Sequence, residues 1–407
     1  MGRRLADAGS TRQSVTVTES EDREFDIVLF GATGFTGELV AGHLASHAPA
    51  GCRWALAGRN RGKLMAVRNR LAQDHPALAE LPLLHADARD DESLRAVADK
   101  ARVVISTVGP YLLHGEPLVR ACAQAGTDYV DLTGEPEFVD RMYVDHHATA
   151  LSTGARLVHA CGFDSVPHDL GAMFTVQHLP EGEPIRLRGV VRSNAQFSGG
   201  TFHSAMTAMS RGPQMRSAMA ARRQAEIHPT GRRSRAVAGK PHRDPLLGYW
   251  LLPLPTIDPF VVARSGAALA SYGPDFRYSH YAGTRTLRFA AGGVAAVGAM
   301  VAAAQVPPLR RQLLKRIKPG EGPSPSRRAK SWFTVDFVGE AGGKTVHTRV
   351  SGGDPGYTET AKMLAESALC LAFDDNPDVA GQLTTAVAMG DRLLERLQGV
   401  GIRFEVV

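Results

Sequence analysis

The sequence predicts an α/β fold, a doubly wound parallel sheet joined to a second α+β domain, on three observations. A short apolar run, Phe25-Asp26-Ile27-Val28-Leu29-Phe30, leads through Gly31-Ala32-Thr33-Gly34-Phe35-Thr36-Gly37 into a helical pattern. Strand and helix patterns then alternate as far as about residue 160. Beyond residue 172 the alternation stops, and a hairpin pattern lies closer to the C-terminus. A chain of 407 residues exceeds the usual size of one domain. The expected division is a polar tail over 1–24, a Rossmann-type nucleotide domain over 25–165, an α+β substrate domain over 166–370, and a C-terminal helix and strand over 371–407.

The first turn carries the most chemistry. Ile27 to Phe30 reads as a strand buried on both faces, and Phe35, Leu39, Val40 and Leu44 place a stripe on the helix that follows. Glycines between the two let the backbone approach a pyrophosphate, which then meets free amides and the positive end of the helix. Gly31, Thr33, Gly34, Phe35, Thr36 and Gly37 are therefore expected at a dinucleotide. The spacing is GxxGxxG, a wider turn than GxGxxG.

Arg53 to Gly58 gives the second strand, ending in Arg59-Asn60-Arg61. An acid at this position serves the ribose hydroxyls of NAD, whereas arginine pairs with a 2'-phosphate. Arg59 and Asn60 thus favour NADPH over NADH. Leu81 to Asp87 is the third strand pattern, with Asp87 at the adenine edge. Ala101 to Val108 is a β-branched strand ending in Gly109-Pro110-Tyr111, and Thr107, Val108 and Gly109 are expected beside the nicotinamide. Tyr111 and His114 follow as candidate proton donors. Tyr129 to Leu132 and Ala155 to Ala160 are further strands, the second of them leading into Cys161-Gly162-Phe163-Asp164-Ser165-Val166-Pro167-His168-Asp169-Leu170-Gly171. That loop reads equally as a hinge capped by Asp164 or Ser165 and as an active-site wall.

In the second half, Ile185 to Ser193 reads as a strand and Thr201 to Met219 as a methionine-bearing helix. Phe289 to Leu309 is uncharged, but alanine and glycine dominate it and Pro307-Pro308 breaks it, which argues against a membrane span. Eight lysines and arginines lie between residues 310 and 330, a patch suited to peripheral contact with anionic lipid. Trp332 to Val338 and Lys344 to Val350 form the hairpin pattern around Gly339 to Gly343, and Ile402 to Val407 reads as an edge strand.

Composition narrows the function classes. The net charge of +6 and pI near 9.2 suit anionic cofactors, but no aromatic-and-basic pattern or zinc-finger spacing points to nucleic acid. Cys52, Cys122, Cys161 and Cys370 are far apart and form no CxxC pair, so reduced thiols, a cytoplasmic location and no metal set are expected.

The motifs IVLFGATGFTG, ALAGRN, STVGPY, DLTGE, CGFDSVPHDLG, DPFVVARSGA and GYTETAKMLAESAL occur in order from about residue 25. In this combination the chain resembles the saccharopine dehydrogenase-like oxidoreductases, and among them the trans-acting enoyl reductase family. Thr385 stands where that family usually has proline. The resemblance implies NADPH-dependent reduction of an α,β-unsaturated thioester made by a partner polyketide synthase. Hydride would reach the β-carbon and a proton the α-carbon, with a donor near the thioester oxygen. Tyr111 and Ser165 are candidates for that donor, with Asp164 or His168 as an orienting partner. A dehydrogenase acting on an amino-acid-derived imine and a non-catalytic lipid-associated module are the alternatives.

Overall fold

The computed structural model describes residues 23–195, 199–227, 229–316 and 323–407. The first sheet begins with β1 (Phe25–Phe30), β2 (Trp54–Gly58), β3 (Leu83–His85), β4 (Ala101–Ser106), β5 (Asp128–Asp131) and β6 (Arg156–Val158). There follow β7 (Ile185–Ser193), β8 (Arg233–Ala236), β9 (His242–Arg243), β10 (Trp250–Pro253), β11 (Asp275–Thr284), β12 (Phe333–Ala341) and β13 (Lys344–Gly352). Two short strands, β14 (Gly381–Leu383) and β15 (Arg403–Val406), end the chain. The first sheet is parallel throughout, in the order β14-β6-β5-β4-β1-β2-β3. The second is mixed, in the order β15-β13-β12-β7-β11-β10-β9, with β8 also paired to β11.

Alternation along β1 explains why the first sheet is covered on both sides. Ile27 and Leu29 enter one buried cluster, whereas Val28 and Phe30 enter another, joined there by Phe25 at the strand's start. Every residue of this strand is buried, including Asp26, whose carboxylate is bonded by Arg53. The first cluster also includes Val166, Leu170, Phe333, Phe337 and Val350, so one core continues into the second sheet. The helix Val166–Val176 carries that continuity, since it leaves the first sheet after β6 and packs on β12 and β13.

The C-terminal residues are shared between the two sheets. The helix Thr358–Phe373 lies against the helix Phe35–His47 and against β4 and β5, β14 pairs with β6, and β15 forms the edge beside β13. The expected boundaries at 165/166 and 370/371 run across this arrangement. A three-residue strand such as Gly381-Gln382-Leu383 carries too little periodicity to be read in advance. The hairpin strands also run further than expected, leaving only Gly342 and Gly343 in the turn. The methionine-bearing stretch is divided into two helices, Gly199–Ser210 and Gly212–Ala225. Of the expected tail, residues 1–22 lie outside the described residues, whereas Glu24 pairs with Lys100 at 2.8 Å and Arg23 donates to the Ala98 carbonyl.

Arg156 ties three of these layers together. Its backbone N–H donates to Asp128 Oδ1 at 2.8 Å, its Nε donates to Asp128 Oδ2 at 3.0 Å, and its Nη2 reaches the Leu371 carbonyl at 2.9 Å. Burial raises the Asp128 carboxyl and the Arg156 charge opposes that rise. Arg156→Met leaves a buried carboxylate uncompensated and is expected to lower unfolding stability by about 3 kcal/mol. The double replacement Arg156→Met with Asp128→Leu should recover most of that loss in the same urea titration.

Candidate active site

Strand order reverses between β1 and β4, so a crevice opens there at the carboxyl ends of the strands. The glycine turn forms one lip of it. Gly31 has φ +94°, and a Cβ on it would lie 2.5 Å from Thr107 Oγ1 and 2.8 Å from Val108 Cγ2. A Cβ on Gly37 would lie 2.2 Å from the Gly31 carbonyl oxygen. These two positions bring the helix Phe35–His47 up against the turn. Gly34 is its N-cap and supplies no side-chain bond, so the first amides of the helix are left for an anion. That geometry fits a dinucleotide pyrophosphate.

The other expected cofactor residues line the same edge. Thr107 Oγ1 donates to the carbonyls of Gly31 at 3.1 Å and Phe30 at 3.3 Å, locking the end of β4 to the turn. Arg59 is exposed beyond β2, and its charge helps hold the Asp87 carboxyl below its ordinary range, after the larger effect of the Arg89 backbone N–H. Asn60 caps the next helix by accepting from the Lys63 N–H at 2.9 Å. Phe35 packs edge-on against Tyr357, with ring centroids 4.7 Å apart.

Past β4 the polar groups are committed to one another. Tyr111 is 4% exposed, and its hydroxyl donates to the Ser106 carbonyl at 2.9 Å. Burial lifts its phenol well above the ordinary value. Its backbone N–H and that of Leu112 donate to the Glu135 carboxylate at 3.2 and 2.9 Å. Ser204, from the second-domain helix Gly199–Ser210, donates to the same carboxylate at 3.0 Å. Asp131 accepts from the backbone of Thr133 and Ala160 and lies 2.7 Å from His159 Nδ1. His114 ends the single-turn helix Tyr111–His114.

The loop after β6 turns sharply into the helix Val166–Val176. Ser165 stands at its N-cap with φ +151°, a conformation unusual for a residue with a side chain, and its Oγ is buried without a hydrogen-bond partner. Asp164 remains half-buried beside Gly134, where a glycine Cβ would meet its Oδ2 at 3.0 Å. Burial pushes its carboxyl up to about 7, with a further contribution from the negative charge of Asp258. His168 is buried further along this helix, with Nε2 3.5 Å from Asp258 Oδ1. His280, on β11, places its own Nε2 3.5 Å from Asp258 Oδ2. Burial pushes both imidazoles down to about 3. Asp258 and His280 have no counterpart among the expected site residues. Asp258 does fall within the DPFVVARSGA motif, whereas nothing in the sequence marks His280.

Residues 27–158 match the saccharopine dehydrogenase NADP binding domain. A Mycobacterium bovis protein named trans-acting enoyl reductase is 38% identical over 414 residues, covering 94% of this chain and 97% of its own. A Mycobacterium ulcerans protein of the same name is 37% identical over 419 residues, with 94% and 98% covered. This chain belongs to the trans-acting enoyl reductase family. Saccharopine dehydrogenase (L-Glu forming) from Saccharomyces cerevisiae has a similar fold, with a TM-score of 0.54 at 12% identity, covering 94% of this chain and 99% of that one. The protein is thus an NADP-binding oxidoreductase with the fold of saccharopine dehydrogenase.

In this family member the glycine turn can be tested directly. Gly37→Ala pushes the helix off the Gly31 carbonyl and is expected to weaken NADPH about tenfold or more in a fluorescence titration.

Proposed function

We propose that the protein is an NADPH-dependent reductase of an enoyl thioester, a polyketide or lipid intermediate presented by a partner synthase in the cytoplasm. The observation that supports this most is the family relationship along nearly the whole chain, to proteins whose names give that activity. Gly31, Thr33, Gly34, Phe35, Thr36 and Gly37 would hold the pyrophosphate, and Arg59 with Asn60 the 2'-phosphate end. Asp87 lies toward the adenosine, and Thr107, Val108 and Gly109 face the nicotinamide. When bound, the dinucleotide supplies the hydride. What the chain itself must supply is a proton for the α-carbon and a donor for the thioester oxygen.

Asp164 suits the first task better than the other candidates. It is half-buried, whereas Tyr111 spends its hydroxyl on Ser106, and Ser165 and His168 are buried. An acid titrating near 7 is well placed to give up a proton at neutral pH. The imine alternative would place a multiply anionic substrate here, needing several unpaired arginines. Yet Arg211 is paired with Glu137 at 2.6 Å, Arg222 with Asp140 and Glu226, and Arg264 with Glu226 at 3.2 Å. Those pairings favour the neutral, apolar acyl group.

Lipid association is favoured by one feature. The helix Leu287–Gln305 is apolar enough to cross a membrane, and it is largely uncovered, with Phe289 73% exposed. It precedes the helix Pro307–Arg316, which carries Arg310, Arg311 and Lys315. We read this pair as a surface for an acyl chain or an anionic headgroup, with the helix lying along an interface.

The decisive assay follows NADPH oxidation and product mass with an enoyl thioester, set against an amino-acid and keto-acid pair. Turnover confined to the second pair would overturn the proposal. Asp164→Asn is expected to lower kcat about a hundredfold or more with little change in NADPH affinity. In the wild-type protein the proton-transfer step should slow as pH rises through 7, because the acid is then ionised, and the variant should lose this dependence. Arg59→Asp should weaken NADPH by about tenfold or more while leaving NADH nearly unchanged, and equal losses would remove Arg59 from the phosphate site.

A further inference from the structure

We propose that His168, Asp258 and His280 form a binding site for a divalent transition-metal ion, zinc by preference, at the junction of the two sheets. The three residues come from different elements: the helix Val166–Val176, the first position of the helix Asp258–Ala268, and β11. Their exposures are 1%, 2% and 4%, and one ligand atom from each lies within 4.8 Å of the others. Among the described residues this is the one group of histidine, cysteine and carboxylate side chains arranged in this way.

Each histidine faces a different oxygen of Asp258, too far for a good direct bond and near enough for an ion held by the carboxylate to reach both. Both nitrogen-to-oxygen separations are 3.5 Å, at the long limit for a hydrogen bond. Two ligand atoms held at tetrahedral angles, each about 2.1 Å from one zinc ion, lie about 3.4 Å apart. His168 Nδ1, Asp258 Oδ1 and His280 Nε2 have no hydrogen-bond partner although all three are buried. Leaving such groups unsatisfied costs about 1–3 kcal/mol each, and an ion between the side chains removes the penalty at Asp258 Oδ1 and His280 Nε2, whereas His168 faces the carboxylate through its other nitrogen, Nε2.

The donor set selects the metal class. Two imidazoles and one carboxylate suit zinc or iron(II), whereas calcium and magnesium take oxygen ligands. The surroundings supply outer partners. Tyr278 Oη lies 3.0 Å from His280 Nδ1, so an Nδ1–H donated to it leaves the Nε2 lone pair facing Asp258. Thr256 Oγ1 donates to Asp258 Oδ2 and fixes the carboxylate plane. Three protein ligands leave a fourth position for water or a substrate oxygen. An ion here would also tie the helix that follows Asp164 to β11 of the second sheet.

This inference does not rest on the enoyl reductase reading, although an ion on Asp258 would offset the negative charge that helps raise the Asp164 carboxyl, and its readouts are independent of turnover. Full-length protein is stripped with chelator, dialysed with zinc sulfate or cobalt(II) chloride, and analysed for metal content, visible absorption and Tm. Retention of about one zinc per chain, cobalt bands of tetrahedral or five-coordinate character, and a Tm rise of about 5 °C with saturating zinc are expected. Asp258→Asn and His280→Gln should abolish retention, and Tyr278→Phe should weaken it about tenfold. Should the ligand variants fail to fold, the wild-type measurements and Tyr278→Phe decide. Absence of retained metal and of any Tm shift in the wild-type protein overturns the proposal, as does equal zinc retention by folded Asp258→Asn, which would place the ion at surface histidines.

Discussion

Close packing of the glycine turn on the end of β4 is the constraint from which the crevice follows. Thr107 Oγ1 bonds the carbonyls of Phe30 and Gly31, and Gly37 leaves no room for a side chain against the Gly31 oxygen. Because β1 and β4 are joined here and the helices after them cross to opposite faces, the strand ends diverge and leave a groove. The uncapped start of the helix Phe35–His47 opens into that groove. A larger residue at either glycine would fill the contact that positions both lips.

Much of this was legible because it rests on local pattern. The apolar run of β1, the glycine turn and the β-branched run of β4 are short-range signals, and the structure places each where the local pattern put it. The long strands β7, β12 and β13 of the second sheet were legible for the same reason, whereas β11 was not. The pairing of the C-terminal segment was not. β14 joins the first sheet through three residues, and β15 joins the second after the amphipathic helix Gly390–Gly399, whose Leu393, Leu394 and Leu397 are buried. Such choices are made by tertiary packing, which local propensity does not encode.

The cluster behind Asp164 was illegible for a further reason. His168, Asp258 and His280 are separated by 90 and 22 residues, and each sits on an element that local pattern alone would treat as core. Their proximity depends on the helix Val166–Val176 bridging the two sheets through one continuous hydrophobic cluster. Burial then gives the same side chains unusual chemistry: the imidazoles are held neutral, and the carboxyls of Asp164 and Asp258 are both raised. A hinge and an active-site wall were equally compatible with residues 161–171. In the structure this turn leaves β6 for the helix Val166–Val176 and sets Asp164 beside Gly134.

Specificity must come from the elements that cover this groove, because the turn and strand ends serve any dinucleotide reductase. The helix Gly199–Ser210 reaches down through Ser204 to Glu135, whose carboxylate also holds the backbone after β4. On its other side it meets the helix Leu287–Gln305, where Gln305 Nε2 donates to the Met209 carbonyl at 2.7 Å. One polar contact therefore anchors the cover to the strand ends, while an exposed apolar helix extends it toward solvent. The arginines near this cover are already neutralised by Glu137, Asp140 and Glu226. A small dianionic substrate would find neither a free cation in those pairs nor any use for that surface. The fold shared with saccharopine dehydrogenase therefore carries, in this chain, a cover whose outer helix is apolar and exposed.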